Sequence, residues 1–288
     1  MTNEYLWLET SQAVKVFYRE VHPNGEKGIV MICHGYGEHS GYYLDLMQFL
    51  VKHSYGVYAL DHRGHGRSEE ERGHLERFEF FLEDLDILVN FAREKHPTLL
   101  IYMFGHSMGG LIAFHYGILY PEKLDGQIFS GAAVGMPAGT SFIPGFLFRF
   151  LNKRFHHHKI YQVLSHRATR NLELQEKSKA DPMLLKYATV GFYYEFIYRG
   201  VIGAKKGAGN YRLPCLFLHG RADRIIPYQS SPYIFGRISS QDKELKIYDG
   251  LYHELIQEPE REMVLGDILN WLEKRVISIK KREPGQSE

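Results

Sequence analysis

Six short apolar runs constrain this chain most: Gly28–Cys33, Gly56–Leu60, Leu99–Phe104, Leu124–Ser130, Pro214–Leu218 and Leu245–Tyr248, each followed at once by Gly, Asp or His. Compact apolar runs that end in turn residues fit strands buried on both faces. Between most of them lie stretches such as Tyr43–His53 and Phe78–Lys95, where Leu, Phe, Ile and Val recur at three- and four-residue steps, the spacing of one helix face. Strand alternating with helix predicts an α/β chain with a mostly parallel central sheet covered by helices on both faces. Such sheets bind ligands at the carboxyl ends of their strands. Chemistry is therefore sought in the residues just after each run.

Two segments depart from the alternation. Residues 4–9 and 13–21 are aromatic and β-branched, with the turn-prone His22–Gly25 after them, and predict an antiparallel hairpin. Residues 135–210 contain no convincing strand and are rich in Phe, Tyr, Leu and Arg. They are expected to form a helical cap, or lid, inserted into a core made of residues 1–134 and 211–288. The polar tail Lys280–Glu288 is expected to be disordered.

Lys and Arg number 35 against 34 for Asp and Glu, a net charge of +1, so no overall field attracts nucleic acid. Cys33 and Cys215 sit inside apolar runs, IVMIC and LPCLFL, as small buried thiols rather than a disulfide or metal site. The opening MTNEYLWLET lacks the basic and apolar regions of a secretory signal, so a cytoplasmic location is expected. The apolar stretch Phe142–Leu151 is broken by Pro144, Gly145 and Arg149 and is suited to lie on a membrane surface, not to cross one.

The motif Gly105-His106-Ser107-Met108-Gly109 lies between the run LLIYMF and the helix-like LIAFHYGILY. This is G-x-S-x-G in strand–turn–helix context, where the turn strains the nucleophile's backbone and aims its hydroxyl above the sheet at a helix N-terminus. A serine needs a base, and the base an orienting acid. Asp223 follows the run PCLFLHG, and His253 follows LKIYDG. Asp249 is the rival acid, in an Asp-Gly turn. His62, His65, His106 and His219 rival the base, but of these five histidines His253 alone follows the last strand. An oxyanion hole needs two aimed backbone N–H groups. Met108, after the nucleophile, and Tyr36, in the loop His34-Gly35-Tyr36-Gly37, are the candidates.

Two further patterns read as structural. His156-His157-His158 looks like a metal cluster, but consecutive side chains point in different directions, so no metal is expected there. Arg63-Gly64-His65-Gly66-Arg67 is read as a tight turn after GVYALD, not as an anion loop.

Together HGYGEHSGYY, DHRGHGRSEEERG, GHSMGG, HGRADRIIP and LKIYDGLYHELIQEPE resemble the monoacylglycerol lipase and lysophospholipase branch of the α/β-hydrolases, over roughly residues 28–276. The resemblance implies that Ser107 is the nucleophile, Asp223 the acid and His253 the base, with Tyr36 and Met108 at the oxyanion positions. It also implies a lipid ester substrate, no cofactor, a helical lid over an acyl channel, and a headgroup contact for Glu38. Phe142, Ile143, Phe146–Phe148, Phe150 and Leu151, then Phe192–Tyr194, Phe196 and Ile197, suit such a lid, and Lys153 and Arg154 beside the first stretch suit membrane or micelle contact. Tyr42 stands where relatives frequently carry a basic residue, and Ile256 where some are polar. Monoacylglycerol hydrolysis is thus the expected activity. The alternatives are a lysophospholipase, a general carboxylesterase, or a binding protein with idle catalytic residues.

Overall fold

The six apolar runs become six adjacent parallel strands in the computed structural model, which describes residues 6–135, 144–161 and 165–280. The strands are β1 (Leu6–Glu9), β2 (Lys15–Val21), β3 (Gly28–Cys33), β4 (Tyr55–Leu60), β5 (Ile101–His106), β6 (Gly126–Ser130), β7 (Lys159–Tyr161), β8 (Tyr187–Thr189), β9 (Cys215–Gly220) and β10 (Lys243–Tyr248). Eight of them form the main sheet in the order β1-β2-β4-β3-β5-β6-β9-β10. The β1–β2 and β2–β4 pairs are antiparallel and the rest parallel. The hairpin is thus present, registered Leu6 opposite Tyr18.

Each interior strand divides its side chains between two cores because successive residues point to opposite faces. On β3, Ile29, Met31 and Cys33 enter one core while Val30 and Ile32 enter the other. Helices α1 (Leu44–Lys52), α2 (Glu79–Lys95) and α3 (Met108–Leu119) cover the sheet, α2 and α3 on the first face and α1 on the second. The second face also receives Trp271, Leu272 and Val276 from the C-terminal helix. Burial on both sides explains why the runs are continuously apolar rather than alternating. Cys33 and Cys215 are buried free thiols.

Between β6 and β9 the chain forms α4 (Gly145–Phe155), α5 (Ser165–Ala168), α6 (Leu172–Ala180), α7 (Val190–Tyr194), a π-helical turn over Glu195–Val201 and α8 (Ile202–Gly207). After β9 come α9 (Ser230–Phe235) and α10 (Arg261–Lys280). The expectation of no strand in 135–210 is corrected by β7 and β8, which pair antiparallel, Lys159 opposite Thr189. Each strand is three residues long and its partner is far away in sequence, so no local period marks it. Phe142 and Ile143 of the apolar stretch, and residues 281–288 of the polar tail, lie outside the described residues. Among the described residues no helix is long and apolar enough to cross a membrane.

The Arg63–Arg67 segment is a turn, as expected. Arg63 makes a buried two-pronged contact with Asp84, Nε to Oδ2 at 2.7 Å and Nη2 to Oδ1 at 2.5 Å, so its charge is spent inside the protein.

Candidate active site

Ser107 occupies the junction of β5 and α3 with φ 50° and ψ −116°, a conformation that L-residues avoid. The neighbouring glycines explain how the chain holds it there. A Cβ on Gly109 would stand 2.1 Å from Cys33 O and 2.5 Å from His34 O, and one on Gly105 would stand 2.6 Å from Gly109 O. Backbone presses on backbone, and no side chain fits. The turn is held by Ser107 N donating to Ser130 O at 3.0 Å, and by Ala133 N donating to Ser107 O at 2.9 Å. The same close packing sets the loop after β3, which carries Tyr36, against the start of α3, which begins with Met108.

Asp223 sits in the loop after β9. Its Oδ2 accepts from His253 Nδ1 at 2.6 Å and from His219 Nε2 at 3.0 Å. Its Oδ1 accepts from the backbone N–H groups of Ile225 at 2.8 Å and Ile226 at 2.9 Å. Burial alone would raise this carboxyl, but His253 and the hydrogen bonds from both imidazoles outweigh it and hold the group well below the usual carboxylate range. The rival Asp249 has a side chain 84% exposed and pairs with Arg221. His253, in the loop after β10, has its basicity lowered by burial, against the pull of Asp223, and neutral imidazole is the form that can accept a proton.

His219 was weighed as a base and instead braces the acid. Its Nδ1 meets Ser231 Oγ at 2.7 Å while Nε2 points at Asp223. His106 is also a brace. Its ring lies 4.7 Å from that of His253, its Nδ1 donates to Ser130 O at 3.0 Å, and Nε2 reaches Glu254 Oε1 at 3.1 Å, with Glu38 Oε1 at 3.9 Å. Burial alone would make His106 less basic, yet Glu254 and Glu38 raise it to about 9. Glu38 is itself pushed up to about 7 by burial and by Glu254, and its Oε2 accepts from Gly35 N at 2.9 Å and Tyr43 OH at 2.6 Å. Glu254 was missed in the sequence. Its position beside His253 was the one available signal.

Ser107, His253, His106, Glu38, Glu254 and Tyr36 border one cavity of roughly 420 Å³, within the range of small-molecule sites. Ser107 and His253 therefore face a common space, although no hydrogen bond joins Ser107 Oγ to the imidazole among the described residues. Leu174, Leu185, Phe192, Phe196, Ile197 and Ile225 form the apolar part of its wall. Much of it comes from the segment between β6 and β9. Ser107, His253, Asp223 and an apolar channel thus share one rim of the sheet, an arrangement able to transfer an acyl group.

A family model described as serine aminopeptidase, S33 matches residues 24–260. Over 264 residues the chain is 37% identical to the monoacylglycerol lipase of Mycolicibacterium smegmatis, covering 90% of this chain and 93% of that one. The chain belongs to the monoacylglycerol lipase family. It is also 31% identical to the monoglyceride lipase of Rattus norvegicus, over 91% of this chain and 88% of the other. The crystal structure of Paleococcus ferrophilus monoacylglycerol lipase superposes with a TM-score of 0.82 at 28% identity, covering 90% of this chain and 99% of that one. The fold is accordingly that of the α/β-hydrolases. Within this lipase family the two departures in sequence have separate fates. Tyr42 borders the cavity and donates to Ser178 Oγ at 2.7 Å, whereas Ile256 is buried in the second core.

Proposed function

We propose that this protein hydrolyses the ester bond of monoacylglycerols, releasing a fatty acid and glycerol through an acyl-enzyme on Ser107. The observation that carries the reading is the Asp223–His253 pair at 2.6 Å beside a cavity that Ser107 also borders. Ser107 Oγ attacks the acyl carbonyl while His253 Nε2 takes its proton. The oxyanion accepts hydrogen bonds from the backbone N–H groups of Tyr36 and Met108, at the positive end of α3. His253 then gives the proton to the departing glycerol oxygen, and a water activated by the same imidazole releases the fatty acid. Asp223 stays ionised throughout and steadies the imidazolium. The chemistry needs no metal or organic cofactor, since every proton passes through these groups.

Residues 135–210 act as the lid over a core of 1–134 and 211–288, with the apolar wall receiving the acyl chain. Glu38, at the polar end of the cavity, takes a glycerol hydroxyl. Helix α4 is the surface that meets membranes or micelles. Phe146 and Phe150 are 80% and 62% exposed, with Lys153 and Arg154 in its last turn. An apolar face beside cations is the pattern of an interfacial helix.

One observation favours the lysophospholipase reading as a second possibility: Arg167, Lys179, Lys186 and Arg224 also border the cavity and suit a phosphate headgroup. Turnover of a monoacylglycerol, a lysophosphatidylcholine and nitrophenyl esters of rising chain length separates the two. A profile peaking on long-chain monoacylglycerol supports the first reading, and a sharp preference for acetyl or butyryl esters overturns both. Fluorophosphonate labelling that Ser107→Ala abolishes distinguishes an enzyme from a binder.

A further inference from the structure

Where the loop after β4 meets the end of α4, three histidines and two glutamates converge, and none of them borders the cavity. His74 is only 9% exposed, and its Nδ1 lies 2.8 Å from Thr189 Oγ1. Glu76 Oε2 lies 3.5 Å from His74 Nε2 and 3.0 Å from His156 Nε2. On the other side of His74, His157 Nδ1 meets Glu71 Oε2 at 2.8 Å, with the two imidazole rings stacked 4.4 Å apart. One ligand atom from each of His74, Glu76 and His156 falls within 4.8 Å of the other two.

These separations suit a metal. Ligands about 2.0–2.1 Å from a tetrahedral zinc stand roughly 3.3 Å from one another, and the separations of 3.0 and 3.5 Å straddle that figure. His156 is held from both sides, with Nδ1 2.7 Å from Asn152 Oδ1 and Nε2 3.0 Å from the Glu76 carboxylate. Outer hydrogen bonds from Asn152 and Thr189 fix both rings, as partners of ligating histidines do.

We propose that His74, Glu76 and His156 bind a zinc-type transition-metal ion, with a fourth position open to water. Two imidazoles and one carboxylate fit zinc, whereas calcium and magnesium take oxygen ligands. The ion ties the loop after β4 to the segment between β6 and β9 at the point where Thr189 N donates to Gly73 O at 2.9 Å and Gly191 N to His156 O at 2.8 Å. Thr189 also caps α7 by accepting from Phe192 N at 3.1 Å, and Phe192 borders the cavity, so the ion stiffens one wall of the substrate site. The sequence reading was right that adjacent histidines diverge, since His156 goes to Glu76 and His157 to Glu71. It could not see that His74, from a distant loop, stands between them.

Calorimetric titration of the EDTA-treated full chain with zinc chloride, together with thermal melts, tests this. The expected result is one zinc per chain and a raised Tm, with no rise in magnesium or calcium. Glu76→Gln, at a side chain 64% exposed, and His156→Ala, at one 25% exposed, are each compared with the wild type by circular dichroism so that loss of binding is separated from loss of fold. Each is expected to weaken zinc binding at least as much as the ~10–100-fold seen when only a second-shell partner is lost. His96→Ala, in a separate group with His22 and Glu26, leaves it unchanged. The proposal is overturned by absence of binding at micromolar zinc, by full binding in both site variants, by loss of binding in His96→Ala, or by an equal Tm rise with magnesium.

Discussion

Helices α3 and α4 are of nearly equal length, 12 and 11 residues, and differ in almost everything else. From Met108 to Phe114 every residue of α3 is buried, whereas α4 is exposed along most of its length and buries Phe148. The difference separates two kinds of work. Acyl transfer needs atoms held in place to a fraction of an ångström, which close packing on a parallel sheet supplies. Recognition of a lipid aggregate needs apolar side chains left unsatisfied until the partner arrives. Under the proposed function the chain keeps the two tasks on different segments.

Removing the chemistry while leaving α4 untouched gives the largest effect. Ser107→Ala and His253→Ala should each lower kcat by about 10⁴-fold or more, as when one member of an acyl-transfer triad is lost, with an unchanged circular dichroism spectrum. Near-wild-type turnover in either variant would remove the assignment.

Next comes the packing that holds the elbow. Gly109→Ala forces a methyl group to within 2.1 Å of Cys33 O. It should cost at least the ~1–3 kcal/mol typical of overpacking in denaturant melts, because the obstacle is backbone. Tolerance of this change would mean that the α3 junction is looser than its contacts imply.

The converse experiment alters α4 alone. Phe146→Asp with Phe150→Asp should reduce turnover of monoacylglycerol in micelles by about tenfold or more, since each phenyl moved from water into lipid is worth ~1.5–3 kcal/mol. Turnover of a soluble short-chain ester should not change. An equal loss on both substrates would refute the division of labour.

The smallest effect concerns pH, and here too the regions differ, because the titrating histidines of the core are buried while His157 and His158 are exposed. Burial depresses His34 to about 4 and His65 to about 3 from an ordinary 6.5. Below pH 6.5 the unfolded chain takes up protons that these folded imidazoles refuse, so stability falls as pH drops through that window. His106, raised to about 9, acts in the opposite sense: its contribution is complete below 6.5 and is lost as pH rises from 6.5 to 9. Denaturant melts should therefore show greatest stability near pH 6.5. Glu254→Gln should flatten the alkaline limb specifically, and an unchanged limb would show that Glu254 is not what keeps His106 charged.

Much of the site was legible before the fold was known. Ser107 was marked by glycines whose absence of a side chain is a local necessity, and His253 by its place after the last strand. Asp223 was favoured over Asp249 on the same positional ground, and in the structure the first faces two buried imidazoles while the second pairs with an arginine in water. The bracing residues were not legible. His219 and His106 were read as competing bases because a histidine's role depends on what its nitrogens meet: His219 turns to Asp223 four residues on, and His106 to Glu254 from a distant loop. Strand ends were also read short, since His106 and the His219–Gly220 pair continue the ladder although each resembles a turn.

By itself the sequence determined the layered α/β architecture, the elbow at Ser107 and the order of serine, aspartate and histidine along the chain. These follow from periodicity, steric need and turn chemistry, all of which act over a few residues. Tertiary structure alone decided that β7 finds β8, that Ile256 turns into the core while Tyr42 turns to the cavity, and that His74 meets His156. Those outcomes depend on which distant surfaces are brought within a few ångströms, and no window of neighbouring residues carries that information.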